Sequence, residues 1–274
     1  MKIKKFLCTI LAVILSNLTC CMEANALFGN THLNLGKKII EQSNIKLSKS
    51  EEKAFLSGLV YADIGRFKFD KEIGINSDSI KFVSKLKELA ITPEEKWFAR
   101  GFEIHVFQDK NTEKYLNNII GKKSCSYSQY IINCSLLDSY FLKSSGELHN
   151  EFLDKFNFEQ VSAGIDIENL SKTVGIPKNK IKDFVLIVLD KCSSTTKQSL
   201  VIYDNLIKNT YNSLGLNVSI ESIHEQAANI VGAFIATTAI AKKTKIPEEL
   251  AYKIEKESKI LANMCISNFL NDEN

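Results

Sequence analysis

The sequence predicts an all-α protein, and three observations support that class. Apolar residues recur at helical spacing in nearly every segment, residues that start helices stand ahead of several segments, and no segment alternates convincingly as a strand would. The chain has 274 residues with only three prolines, and it contains no Ser/Gly-rich linker or internal repeat. We therefore expect a single helical domain over residues 27–274, preceded by a leader.

The leader, residues 1–26, has the pattern of a signal peptide. Three lysines precede an apolar core, and residues 24–26, Ala-Asn-Ala, supply the small side chains that signal peptidase recognises. The apolar core is too short to span a bilayer comfortably. Cleavage would leave a periplasmic or secreted chain that begins at Leu27. An uncleaved anchor or a lipidated Cys20 or Cys21 is the alternative.

Charge argues against a nucleic-acid-binding protein, and the cysteine content permits disulfides. Removal of the leader takes away three lysines and Glu23, so the formal net charge falls from +3 to +1. Basic residues form no long run and alternate with acidic ones, so no nucleic-acid-binding patch is indicated. Four of the seven cysteines stay in the mature chain. Disulfides are permitted, most locally between Cys125 and Cys134, but the spacing fixes no pairing.

Helix positions follow from periodicity and from start signals. Leu35 and Ile39 repeat at helical spacing near the mature N-terminus, Ser50 caps and opens a second helix, and Ser79 starts a third. Residues 184–189 are apolar enough for a short strand, but the proline ahead of them favours a helix. Beyond the fourth helix, helices are predicted at residues 127–141, 148–156, 177–190, 197–214, 220–242 and 247–269.

The fourth predicted helix carries the most informative pattern, His105-Val-Phe-Gln-Asp109. Thr92 supplies its N-cap and Pro93 its first helical residue. Residues four apart share one face of a helix, so His105 and Asp109 can hold the same metal ion. The neighbouring residues are apolar, and an isolated carboxylate would be costly to bury among them. The alternative is a half-buried histidine that is hydrogen-bonded to a helical neighbour.

Two carboxylates and a second histidine extend this pattern. Asp63 follows an apolar helix; a residue of the C-terminal turn is the alternative, although a helix C-terminus disfavours a carboxylate. Asp78 begins the third helix, where an N-cap role is the simpler explanation. His32 lies five residues from the expected amino terminus at Leu27, which could supply further ligands.

The other histidines and the common catalytic motifs add no competing site. His149 is most simply a solvated residue on a helix face, and His224 lacks the second histidine of a metalloprotease helix. The sequence contains no Gly-x-Ser-x-Gly motif, P-loop or dinucleotide fingerprint. Serine hydrolases and nucleotide hydrolases of those types are therefore unsupported.

The residues singled out, in this order, resemble the superfamily of zinc-dependent phospholipases C and single-strand-specific zinc nucleases. Its members are all-α and exported, and the first mature residue binds zinc through its own amine and carbonyl. The resemblance covers about residues 27–142 of the chain. It implies metal ligands at Leu27, His32, Asp63, Asp78, His105, Asp109, Cys134 and Asp138.

The chain departs from the superfamily pattern at several positions. Asp78 stands in the region of an expected histidine, and Tyr115 replaces a histidine six residues after the bridging aspartate. Cys134 and Asp138 would take the places of a later His-x-x-x-Glu/Asp pair. The remaining set implies two zinc ions bridged by Asp109, with a third ion weakened or missing.

The resemblance implies hydrolysis of a phosphodiester, with a phospholipid or a nucleotide as the substrate class. Two metal ions that share a carboxylate activate a bridging water and stabilise the phosphoryl oxygens during in-line attack. Asp63 would orient that water as the catalytic residue, and a phospholipid substrate would bring the protein to a membrane surface. A catalytically degenerate relative, retained as a metal-stabilised binding or envelope protein, is one alternative. An unrelated exported helical protein is the other.

Overall fold

The computed structural model of the chain describes residues 29–62, 80–120, 134, 137–138, 140–141, 179, 201–223 and 246–271. Within these ranges the chain is mostly helical and has no strand, as the sequence predicts. None of the helices in this part is both long and apolar enough to cross a membrane. The continuous helices are α1 (Gly29–Ser43), α2 (Lys49–Tyr61), α3 (Ile80–Leu89), α4 (Pro93–Lys110), α5 (Thr112–Ile120), α6 (Val201–Ser213) and α7 (Glu248–Asn271).

The predicted helix start is confirmed for α4 and corrected for α2. The hydroxyl of Thr92 accepts from the Glu95 amide, and the Glu95 carboxylate accepts from the Thr92 amide. Helix α2 is capped by Ser48, so the expected cap at Ser50 is wrong. The reciprocal bonds of a capping box need an acid or amide three residues after the cap. Glu51 stands there for Ser48, whereas a lysine stands there for Ser50.

Helix α5 is one that the sequence analysis does not predict. It follows α4 after the single residue Asn111, and it buries Tyr115, Leu116 and Ile119. Helices α6 and α7 match the segments predicted at residues 197–214 and 247–269. The residues described within 127–141 are helical. The predicted helix at 148–156 and most of those at 177–190 and 220–242 lie outside the described residues.

The core centres on the crossing of α2 and α4, where two glycines let the backbones touch. A methyl group at Gly58 would overlap the Phe98 carbonyl oxygen and lie 2.9 Å from the Phe102 nitrogen. A methyl group at Gly101 would overlap the Phe55 carbonyl and lie 2.8 Å from its carbon. Helices approach this closely only where Cβ is absent. The crossing therefore fixes the end of α2 against the middle of α4.

The remaining helices pack around this crossing through aromatic contacts and ion pairs. The rings of Phe98 on α4 and Tyr203 on α6 are stacked, with centroids 4.5 Å apart. Tyr61, at the end of α2, donates a buried hydrogen bond to Asp204 on α6. Helices α1 and α7 pack against each other, and an ion pair of 2.6 Å joins the α1 residue Lys38 to α7.

Candidate metal centre

Three buried side chains from α1 and α4 meet in the interior: His32, His105 and Asp109. Their candidate ligand atoms all lie within 4.8 Å of one another. His32 belongs to the first turn of α1, while His105 and Asp109 are one turn apart on α4. The structure thus brings the His105-x-x-x-Asp109 pair together with the histidine nearest the expected amino terminus, and the group could hold a metal ion.

Each oxygen of Asp109 faces a different histidine. His32 Nε2 lies 3.4 Å from Oδ1, and His105 Nε2 lies 3.2 Å from Oδ2. A direct charge-assisted hydrogen bond would be shorter, about 2.7–2.9 Å. Two ligand atoms of a tetrahedral zinc ion, each about 2.1 Å from it, stand about 3.4 Å apart. The observed spacing therefore fits a nitrogen and an oxygen that share a cation.

The orientation of His105 is fixed by the main chain. Its Nδ1 lies 2.7 Å from the carbonyl oxygen of Leu59. Because a carbonyl oxygen can only accept, Nδ1 carries the proton and a neutral ring directs its Nε2 lone pair at Asp109. Leu59 is in the last turn of α2, where carbonyl oxygens lack a later amide of the same helix. A metal-binding histidine commonly donates its second N–H to such a carbonyl.

The orientation of His32 is fixed by a side chain. Its Nδ1 lies 2.5 Å from Oε1 of Gln108, which is fully buried on α4 beside Asp109. The His32 and His105 rings are stacked, with centroids 3.8 Å apart and planes inclined by 22°. A second proton on both rings would bring two positive charges into contact in the interior, with one carboxylate between them. Neutral rings avoid that repulsion, and neutral imidazole is the form that binds a metal ion.

Asp138 lies beside this centre and holds the first turn of α1. Its Oδ2 accepts from Asn30 Nδ2 at 2.7 Å, and its Oδ1 accepts from the Thr31 amide at 2.9 Å. Burial raises the pKa of Asp138 to about 6, although these hydrogen bonds and the nearby His32 act to lower it. The carboxylate thus anchors the helical turn that carries His32. Its predicted role as a ligand of a third ion stays a prediction.

Tyr115 and Cys134, the other positions predicted near a third ion, are both buried. The Tyr115 hydroxyl lies 2.8 Å from Ser258 Oγ, which donates to the Ile254 carbonyl at 2.6 Å. Burial raises the pKa of Tyr115, and Cys134 is near enough to contribute to the increase. The hydroxyl of Tyr115 therefore joins α5 to α7, and ligation by Cys134 stays a prediction.

Several predicted positions lie outside the described residues. They are Leu27, Asp63, Asp78, Cys125 and the leader, so their predicted roles stay predictions. Two groups that orient the histidines were not predicted from the sequence. Gln108 carried a signal, because it stands within the His105-x-x-x-Asp109 motif, three residues after His105 and so on the same face of the helix. The Leu59 carbonyl carried none, since any residue has one.

Comparisons of the chain with models of protein families, with curated proteins and with solved structures found no match.

Proposed function

We propose that the protein is an exported zinc-dependent phosphodiester hydrolase of the phospholipase C and zinc nuclease type. One observation carries the proposal: two buried histidines from separate helices face different oxygens of the same carboxylate, Asp109. Imidazole nitrogen and carboxylate oxygen are the ligands that zinc takes in hydrolytic sites. The motif resemblance supplies the reaction class.

The ring geometry supports two ions rather than one. A histidine binds metal in the plane of its ring, along the nitrogen lone pair. Rings stacked 3.8 Å apart and inclined by 22° place the two lone pairs in neighbouring planes, so we propose one ion for each ring. Each nitrogen meets its own oxygen of Asp109. Ions in two-metal hydrolytic sites lie about 3.5–4 Å apart, a spacing similar to that of the rings.

Two dications beside one carboxylate would repel each other, so the proposed centre requires further ligands. Asp63 and Asp78 are proposed for the ion at His105. The amine and carbonyl of Leu27 are proposed for the ion at His32, which requires removal of the leader. This assignment leaves Asp138 as the anchor of α1, with a role toward a third ion as the remaining option.

The chemistry proposed for this centre is in-line hydrolysis. Bound zinc lowers the pKa of a water molecule and neutralises charge on the phosphoryl oxygens. Asp109 holds the two halves of the site together, and the Leu59 carbonyl keeps the His105 lone pair directed at it. Asp63 would orient the attacking water and accept its proton. A phospholipid at a membrane surface or a nucleotide would supply the phosphodiester.

A metal-stabilised binding or envelope protein without catalytic activity is the second candidate. It is favoured by the positions predicted near a third ion, where the side chains are hydrogen-bonded to other groups of the protein. Asp138 accepts hydrogen bonds from the start of α1, and Tyr115 is bonded to Ser258. A dinuclear centre without its third ion would retain the fold and lose part of the substrate site.

The test uses protein that begins at Leu27, purified as wild type and as His105→Ala, Asp109→Ala and His224→Ala. Zinc content is measured by mass spectrometry. We expect Asp109→Ala to lose both ions, because it removes a shared ligand, and His105→Ala to lose one. His224→Ala is the control and should keep both. Unchanged zinc in the first two variants would reject the metal centre.

Activity separates the two candidate functions. The substrates are a p-nitrophenyl phosphodiester, phosphatidylcholine vesicles and single-stranded DNA. Zinc-dependent turnover of any of them that disappears in Asp109→Ala supports the hydrolase. Full zinc occupancy without turnover of any substrate supports the binding or envelope protein.

A further inference from the structure

We infer that Gln108 is the positioning residue of the His32 half of the centre. Its amide oxygen accepts the proton of His32 Nδ1, and this leaves the Nε2 lone pair directed at Asp109 and at a metal ion between them. The consequence for metal affinity rests on the proposed function. The position of the proton on His32 does not, because it is a property of the metal-free protein.

Two distances favour the orientation in which the amide oxygen of Gln108 faces His32. With Oε1 toward the ring, His32 Nδ1 donates at 2.5 Å. If the amide were reversed, its N–H₂ group would donate to Nδ1, and the His32 proton would sit on Nε2. That proton would then form a direct hydrogen bond with Asp109. The Nε2 to Oδ1 distance of 3.4 Å is longer than a direct charge-assisted hydrogen bond, so we assign the oxygen to the side that faces the ring.

The hydrogen bond between Gln108 and His32 lies in the interior, where water cannot replace either partner. Gln108 and His32 are both fully buried. Within the part of the chain that the structure describes, the Gln108 amide nitrogen has no hydrogen-bond partner. A buried glutamine that leaves one polar end unbonded costs stability, and the contact made by its other end is the interaction that can offset this cost. Here that contact is with a candidate metal ligand.

Among the described residues, α4 supplies most of the groups of the centre. Positions 105, 108 and 109 lie on one face of the helix, so His105, Asp109 and the acceptor for His32 move as one rigid body. An amide is a neutral acceptor, and it therefore fixes the tautomer of His32 without adding a second negative charge beside Asp109. Helix α1 contributes only the imidazole.

The first measurement is made on metal-free protein labelled with ¹⁵N. Long-range proton–nitrogen correlation spectra distinguish a histidine protonated on Nδ1 from one protonated on Nε2, and the chain has only four histidines to assign. We expect His32 to be protonated on Nδ1. A wild-type spectrum with the proton on Nε2 would overturn the inference whether or not the protein binds zinc.

The second measurement compares Gln108→Met, which keeps the approximate size and removes the acceptor, with Gln108→Glu, which keeps an acceptor oxygen. We expect Gln108→Met to lose the preference for Nδ1 and to bind zinc about 10–100-fold more weakly. Gln108→Glu should retain both properties. Thr210→Val is the matched control, because it removes a buried hydrogen bond of 2.8 Å on α6 and should leave His32 and zinc affinity unchanged.

The measurements distinguish failure of the role of Gln108 from failure of the metal centre. Equal zinc affinity in Gln108→Met and wild type would overturn the role of Gln108 while the metal centre stands. A wild type that carries the His32 proton on Nδ1 but binds no zinc would reject the metal centre, and the tautomer assignment would stand. If Gln108→Met does not fold, the wild-type spectrum and Gln108→Glu still decide.

Discussion

The two halves of the candidate metal centre hold the same kind of ligand by different means. His105 is oriented by a main-chain carbonyl, at the end of a helix that two glycines press against α4. His32 is oriented by the Gln108 side chain, on a helical turn that Asp138 anchors. The first half depends on backbone geometry and the second on individual side chains. The support of His105 should therefore resist single side-chain substitutions, except at the glycines, while the support of His32 can be altered one group at a time.

The largest expected effect comes from breaking the glycine crossing. Gly58→Ala or Gly101→Ala should lower the free energy of unfolding by about 3 kcal/mol or more, because the new methyl group meets backbone that cannot move aside. The same change displaces Leu59 and should weaken zinc binding at His105. Urea unfolding and zinc titration measure the two effects.

Gly36→Ala is the matched control for the crossing. There the nearest atoms are the ends of the Leu59 and Leu56 side chains, which can adjust. It should cost clearly less than either crossing variant, because side-chain ends can move aside and backbone atoms cannot, while the gain in helix propensity is common to all three. Equal losses at the three positions would show that the crossing has no special role.

Substitution of Asp138, the carboxylate that anchors the helical turn carrying His32, tests the His32 half of the comparison. Burial raises the pKa of Asp138 from 3.8 to about 6, so the folded protein binds this proton more tightly than the unfolded chain does. The resulting stabilisation is present below pH 3.8 and is lost as the pH rises to about 6. It amounts to roughly 3 kcal/mol.

The measurement is urea unfolding of metal-free wild type and Asp138→Asn at several pH values across that window. The wild type should lose stability relative to Asp138→Asn as the pH rises, since asparagine does not titrate. Parallel profiles would contradict the buried, anchoring role of this carboxylate.

A direct comparison of the two histidines sharpens the difference between the halves. We expect the zinc ion at His105 to bind more tightly than the ion at His32. His105→Ala should therefore lower the affinity for the tighter ion, and His32→Ala should lower the affinity for the weaker ion. The rigid main-chain support at His105 should make its ion about tenfold tighter. Competition with a chelating dye gives the two affinities. A tighter ion at His32 would reverse the comparison.

The smallest effect is expected outside both halves. Tyr115→Phe removes the hydrogen bond to Ser258 and should lower the free energy of unfolding by about 1 kcal/mol. Zinc content should not change, because the hydroxyl joins α5 to α7. Loss of zinc in this variant would return Tyr115 to the metal centre.

Much of the fold was predictable because its signals are local. Helical periodicity gave the all-α class, and Thr92 with Glu95 marked the start of α4. The spacing of His105 and Asp109 placed both on one face of that helix. The Ser48 cap was also readable, since Glu51 follows at the required spacing; the prediction failed by placing the cap at Ser50.

The parts of the site that could not be predicted depend on tertiary contacts. Nothing local in the sequence distinguishes the Leu59 carbonyl from other carbonyls in α2, and its role arises only where α2 ends against α4. The family resemblance implies that Asp138 is a metal ligand, which stays a prediction; the contact of its oxygens with the start of α1 could not be predicted from the sequence. Spacing along one helix does not reveal which other helix terminus lies opposite a carboxylate.

The hydrogen bonds of the centre also set an order in which it can assemble during synthesis. The bond from His105 to Leu59 spans 46 residues, that from His32 to Gln108 spans 76, and that from Thr31 to Asp138 spans 107. Longer loops cost more entropy to close. We expect the His105 half to form first in a growing chain. The first turn of α1 can be anchored only after Asp138 has been added, so a chain interrupted before that residue would carry an incomplete centre.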